Sequence, residues 1–543
     1  MSGELSRKQF LKAVAAGALS LKAASVAGVQ PVSDSAKLTE QDLRGYLKVA
    51  GLEFTDEEIA RALVGAQSDV DNLTEMRAAV PTHDLPPSTT FRPLGAPPPQ
   101  PIGVEAEPYP DEPTETDEDL AFASITTQGK ALREGRITSE RLTEIYLDRI
   151  ARYGEGLNCF TTVTERLAKA QAWKADRELR FGMDRGPLHG IPYGLKDLFA
   201  TRRYPTTWGA QAYRYQQFDY DAAVVEKLEQ AGAVLLGKTV LGALAWGDRW
   251  YGGRTNNPWD DGGSSGSSAG SASATAAALC SFSIGTETSG SIVSPSHRCR
   301  VVGLRPTFGR VSRYGAMPLS WTLDKVGPIT RHVDDAALVL NAIRGADDRD
   351  PGTAHQPYGY QTNKDLNDLT IGLLGDSPEL KERLESLDAN VQTAALPSGP
   401  EFLENVLTVE STAAFDEATR TGKIDRVHAN PWNNVFRAAR FVTGVDVIQM
   451  DRARRVFMQQ WHQAMEPFDL LAVAGNGGQY IYPGNLCGLP QILIPNGENE
   501  EGTEQSISLI GKPWSENVLL AAAGAIQRHT RHYLKRPSLP HSS

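Results

Sequence analysis

The sequence predicts an α/β protein: a large α/β/α layered domain around a mostly buried sheet, with a small helical extension before it. Three observations carry this expectation. Short apolar runs alternate with helix-patterned stretches from about residue 119 to 535, as when helices cover both faces of a sheet. Hydrophobic residues are 40% of the 543 and charged residues 22%, a balance that allows a sizeable core. A proline-rich stretch separates this region from the N-terminal residues and marks them as a distinct segment.

Taken in order, residues 1–30 carry export-signal grammar. Ser6-Arg7-Lys8-Gln9-Phe10-Leu11-Lys12 precedes a small apolar run from Ala13 to Leu21. The segment resembles a twin-arginine signal, with Lys8 in place of the second arginine and Lys22 interrupting the apolar run. Export to the periplasm or beyond is the expectation, and the cytoplasm the alternative. Residues 31–80 read as helical. Thr55-Asp56-Glu57-Glu58 is a capping box flanked by Phe54 and Ile59 as a hydrophobic staple, and Thr39 caps an earlier helix. Residues 81–118 read as a linker: Pro86-Pro87, Pro97-Pro98-Pro99 and the Pro108 to Pro113 stretch prevent helix, and its end is acidic. Residues 119–535 form the main domain. There, a strand at Gly232 to Gly237 follows a helix at Asp221 to Gln230, and further strands are expected at Thr370–Leu374, Leu470–Ala474 and Gln491–Ile494. No internal repeat is evident.

Several function classes are disfavoured. The net charge is −11 and no run of five Lys or Arg occurs, so no nucleic-acid partner is expected. The four cysteines, Cys159, Cys280, Cys299 and Cys487, form no CxxC pair and have no histidine cluster beside them, so no metal is expected and buried free thiols are. No apolar run reaches the length of about 18 residues that a membrane span needs. Gly232 to Thr239 matches a P-loop on paper, but Ala233-Val234-Leu235-Leu236 is a strand where the phosphate loop must be a glycine-rich turn. Gly262–Gly266 and Gly266–Gly270 both match G-x-S-x-G, yet a turn at Asn257 to Asp261 precedes them, not the strand a nucleophile elbow requires.

The informative region runs from Gly262 to Pro306 and reads GGSSGSSAGSASATAAALCSFSIGTETSGSIVSPSHRCRVVGLRP. A flexible linker would not run into an alanine-rich helix and then an apolar strand. Three further motifs lie around it in order. Gly190-Ile191-Pro192-Tyr193-Gly194-Leu195-Lys196-Asp197 lies upstream, Gly303-Leu304-Arg305-Pro306-Thr307 overlaps its end, and Asn485-Leu486-Cys487-Gly488-Leu489-Pro490 comes near the C-terminus. Together with Gly285-Thr286-Glu287-Thr288-Ser289-Gly290-Ser291-Ile292, this set resembles the amidase signature family over roughly residues 119–530.

The resemblance implies a large mixed, twisted sheet and a Ser–cis-Ser–Lys triad, with Ser291 as nucleophile and Lys196 as base. The family's middle serine lies 24 residues before the nucleophile. That spacing selects Ser267, because Ser264 lies 27 residues away. The chemistry suits these residue types. A serine hydroxyl needs a base, and lysine serves as one only when burial lowers its pKa from about 10.4. Ile191, Leu195, Leu198 and Phe199 flank Lys196 and supply an apolar setting. Asp197 points the opposite way on a strand and need not pair with it. The N–H groups of Thr288, Ser289, Gly290 and Ser291 are candidate donors to the oxyanion of acyl transfer.

Two departures from the family pattern stand out: Ser289 replaces the first of two glycines, and Val293 replaces a frequent arginine. His297 suggests Ser–His catalysis only weakly, and Trp246, Trp250 and Tyr251 read equally as acyl pocket or core. The expectation is therefore an amidase that forms a seryl acyl-enzyme on a small-molecule amide and needs no cofactor, with a homodimer as its candidate assembly. Two alternatives stand beside it: the glutaminase-type component of a tRNA-dependent amidotransferase, its A subunit, and a catalytically idle amide-binding protein.

Overall fold

The computed structural model describes residues 37–60, 62–63, 65–67, 91–98, 100–101, 103–109, 111–362, 365–427, 431–498 and 504–539. The export-like segment at residues 6–22 lies outside the described residues. The chain divides into two units, one of residues 1–85 and 401–453, the other of residues 86–400 and 454–543. Residues 401–453 fall within the stretch read from sequence as one continuous region.

In the first unit, helix α1 spans Glu40–Ala50. The Thr39 hydroxyl accepts from the Asp42 N–H, and the Asp42 carboxylate accepts from the Thr39 N–H. Two orphan donors are thereby satisfied reciprocally. Thr55 and Glu58 repeat the device. Ile59 is buried, whereas Phe54 stays exposed. Phe415, Trp432 and Phe436 stack with ring centroids 5.2 Å apart in both pairs and form an aromatic core for this unit.

The second unit is built on a sheet of eleven strands. In chain order these are β1 (Phe160–Val163), β2 (Pro192–Lys196), β3 (Val234–Thr239), β4 (Phe282–Glu287), β5 (Val302–Arg305), β6 (Lys325–Thr330), β7 (Thr370–Leu374), β8 (Asn390–Ala394), β9 (Leu470–Ala474), β10 (Gln491–Glu498) and β11 (Glu504–Gly511). Their order across the sheet is β8-β7-β9-β11-β10-β5-β6-β4-β2-β3-β1. β2 runs parallel to β3 and β4, and β7 runs parallel to β8 and β9. The pairs between these blocks are antiparallel, so the sheet is mixed. Every residue of β2 to β6 is buried. Alternate residues of a strand face opposite sides, so unbroken burial means that both faces are covered.

The covering layers include α2 (Ala223–Gln230), α3 (Ala269–Ala276), α4 (Val293–Arg298), α5 (Val333–Ile343) and α6 (Glu516–Thr530). α3 lies against β2 and β4, α4 against β5 and β10, and α5 against β6 and α6. β3 follows α2 directly, which is why the P-loop pattern at Gly232 forms no phosphate loop.

Described residues toward the end of the proline-rich stretch pack on this unit. Val104–Glu105 pairs in parallel with Tyr360–Gln361. The buried Tyr109 hydroxyl donates to Gln527 at 2.8 Å, and Glu112 meets His332 at 2.7 Å. All four cysteines are buried free thiols.

Candidate active site

Lys196 is the last residue of β2, and its side chain is fully buried. Parallel neighbours on both sides of β2 deliver it to the edge of the α3 layer. Its Nζ lies 3.0 Å from Ser267 Oγ, 2.9 Å from Ser268 Oγ and 2.9 Å from Thr286 Oγ1. A longer contact of 3.4 Å reaches the Thr286 carbonyl. Burial lowers the pKa of Lys196 to about 7, against the opposing pull of Asp324 and Glu287. Near neutral pH a large fraction of this amine is therefore unprotonated and able to accept a proton.

Ser267 and Ser268 stand just before α3, and the Gly266–Ser267 peptide is cis. Small residues let this segment sit deep in the unit. A Cβ on Gly266 would fall 1.8 Å from the Gly247 carbonyl oxygen, and one on Gly270 would fall 2.2 Å from that of Cys159. Gly266 and Gly270 thus serve close backbone approach.

Ser291 closes the turn that leaves β4 and enters α4, and it is 9% exposed. The Ser268 N–H donates to the Ser291 carbonyl at 3.1 Å. Ser268 thereby links both ends of the site: its backbone holds the Ser291 residue and its hydroxyl holds Lys196. Among the described residues, the N–H groups of Thr288, Ser289, Gly290 and Ser291 have no hydrogen-bond partner. They are free to meet a substrate oxygen.

Three sequence motifs converge behind this turn. The buried carboxylate of Glu287 accepts from the N–H groups of Ile292 (2.9 Å) and Val293 (3.0 Å). Its other oxygen accepts from Arg305 Nη1 (2.7 Å) and Asn485 Nδ2 (2.9 Å). Burial alone would raise its pKa, but Arg305 and these donors outweigh burial and lower it. Glu287, Arg305 and Asn485 come from the signature, the G-L-R-P-T segment and the C-terminal N-L-C-G-L-P segment. Their shared task is to fix the turn that carries Ser291.

The residues singled out from sequence are placed as follows. Lys196 and Ser267 are in direct contact, and Ser291 is tied to the same cluster through Ser268. Ser264 is buried elsewhere, with its hydroxyl on the Ser265 carbonyl. Asp197 pairs with Lys238 at 2.9 Å and not with Lys196. His297 Nδ1 lies 2.8 Å from Ser506 Oγ. Ser289 is exposed, and Val293 is buried. Trp250 and Tyr251 contact each other with centroids 4.6 Å apart, and Trp246 is half-exposed. Sequence reading missed Ser268, Thr286 and Glu287, although all three lie within the motifs it quoted.

Comparison with known proteins adds to this geometry. A family model described as Amidase matches residues 141–479. The A subunit of glutamyl-tRNA(Gln) amidotransferase from Geobacter sp. (strain M21) is 30% identical over 475 residues, covering 75% of this chain and 97% of that protein. Its counterpart from Thermosynechococcus vestitus is 32% identical over 477 residues, covering 75% and 98%. Among solved structures, the native peptide amidase of Stenotrophomonas maltophilia superposes with a TM-score of 0.69 at 31% identity, covering 77% of this chain and 98% of that one.

These relatives correct one expectation. The acidic composition argued against a nucleic-acid partner, yet the amidotransferase relatives belong to an enzyme named for a tRNA. Net charge describes the field of one chain. It says nothing of an assembly in which that chain is one component.

Proposed function

This chain belongs to the amidase signature family and is a hydrolase of that type, and from that premise we propose that it releases ammonia from glutamine as the A subunit of a tRNA-dependent amidotransferase. Ser291 attacks the side-chain amide, and Lys196 takes its proton through Ser267. The donors of Thr288, Ser289 and Gly290 receive the developing oxyanion. The same relay returns the proton to the leaving ammonia, and water then cleaves the acyl-enzyme. The observation that carries this reading is the buried Lys196 amine among three hydroxyls, with its pKa lowered to about 7. The choice of glutamine and of a tRNA-linked partner is supported by the amidotransferase relatives, which match over nearly their full length.

A second reading is favoured by the peptide amidase structure: hydrolysis of a peptide amide by a chain that works alone. The export-like residues 6–22 suit this reading better than a cytosolic assembly. One panel separates the two. Ammonia release is measured from glutamine and from C-terminal peptide amides, with the chain alone and with whatever partner chain co-purifies with it. Release from glutamine that rises with the co-purified partner supports the first reading. Release from peptide amides by the chain alone, with glutamine untouched, overturns it in favour of the second.

A further inference from the structure

β4 and β6 pair antiparallel, with Thr286 opposite Val326 and Glu287 opposite Lys325. Thr288 and Asp324 lie just past the ends of these two strands and meet through their side chains. The Thr288 hydroxyl donates to Asp324 Oδ1 at 2.6 Å. Asp324 Oδ2 accepts from the N–H groups of Leu319 (2.8 Å) and Ser320 (3.0 Å). Thr286 and Thr288 flank Glu287 in the chain, where the strand gives way to the turn. Lys196 bonds to the first and Asp324 to the second. Glu287, between them, points the other way to Arg305 and Asn485.

We propose that Asp324 is a positioning residue for the reaction assigned above to Ser291 and Lys196. It aims the 288–290 donors through Thr288, and its charge opposes the loss of the Lys196 proton. The inference rests on that reading of the site.

The surrounding charges leave Asp324 in this role. Asp324 and Glu287 are the two carboxylates that act on Lys196. Glu287 is paired with Arg305 at 2.7 Å, whereas Asp324 forms no ion pair among the described residues. Asp197, beside Lys196 in the chain, is paired with Lys238. Burial raises the pKa of Asp324 against the opposing pull of Thr288, the Ser320 and Leu319 N–H groups and a more distant Arg313, which itself pairs with Asp350. Lys325, next to Asp324, points to the Leu323 carbonyl, and burial first and then Arg305 push its pKa well down.

The test uses the full-length enzyme with its best amide and follows kcat and KM across pH. Asp324→Asn keeps the shape and a hydrogen bond to Thr288 but removes the charge. A neighbouring anion favours protonated lysine, so its loss moves the acid limb of kcat/KM to lower pH, by about one unit. Thr288→Val keeps the charge and removes the tether. Its acid limb stays in place while kcat falls about tenfold with KM little changed, and Thr288→Ser restores kcat. An unmoved acid limb in Asp324→Asn, or native kcat in Thr288→Val, overturns the proposal. If Asp324→Asn fails to fold, the Val and Ser variants at position 288 decide it in the same way. A native enzyme with no acid limb at all marks a different failure, that of Lys196 as base.

Discussion

Replacing Glu287 by glutamine tests how the turn at Ser291 is held. The native carboxylate is buried and accepts four hydrogen bonds, two from the backbone of Ile292 and Val293 and two from Arg305 and Asn485. Glutamine has nearly the same volume but only one acceptor oxygen. Whichever way its amide turns, one pair of donors faces an NH2 group. The negative charge beside Arg305 is also lost, and Arg305 is fully buried. An uncompensated buried charge costs about 3–5 kcal/mol, and an orphaned donor about 1–3 kcal/mol. These costs overlap, so the expected loss is about 3–5 kcal/mol of unfolding free energy, read by equilibrium urea denaturation. The folded fraction should show kcat reduced at least about tenfold with KM near native, because the turn that aims the oxyanion donors is loosened. Adding Arg305→Met removes the stranded charge and should recover a large part of the stability. A single variant within about 1 kcal/mol of native, or a double variant as unstable as the sum of its parts, would refute this account of the turn.

Three further outcomes follow from the geometry. Ser267→Ala should cut kcat by about 10²–10⁴-fold, whereas Ser268→Ala, which leaves the relay serine in place, should cut it only about tenfold; steady-state kinetics separates the two. Lys196→Met should abolish turnover without loss of stability, since burying an amine whose pKa is lowered from 10.5 to about 7 disfavours the native state by about 4 kcal/mol at neutral pH, offsetting the lost hydrogen bonds in thermal denaturation. For His332, burial opposes protonation, but Glu112 and Asp335 outweigh it and raise the pKa from 6.5 to about 9. The stability this pair contributes is complete below about pH 6.5 and is lost as pH rises through about 9; His332→Gln should flatten the pH dependence of unfolding across that window.

The fold was legible where burial leaves a local mark. Thr370–Leu374 and Leu470–Ala474 read as strands because consecutive residues in each are buried on both faces, which leaves a mostly apolar run. β10 was seen only to Ile494, because its remainder through Glu498 is polar and is a strand only by pairing with β11. Strand order was not legible, since register between distant segments has no local signal. The site divides in the same way. Lys196, Ser267 and Ser291 were singled out by motif and spacing. Ser268 was missed because two adjacent serines differ only in what their side chains meet. Asp324 was not singled out because it meets Thr288 from 36 residues away in the chain, a contact without a local signal. The partner expectation failed for a different reason: composition reports one chain and not its assembly.

The central claim is that Ser291 is the nucleophile and that Lys196 activates it by losing a proton. The most direct measurement is the rate at which a fluorophosphonate labels the protein across pH, with the adduct located by mass spectrometry. The account predicts a single adduct on Ser291, a rate that climbs through about pH 7 as the lysine deprotonates, and little labelling in Lys196→Met. An adduct on another residue, or a labelling rate at Ser291 that is independent of pH, would contradict it.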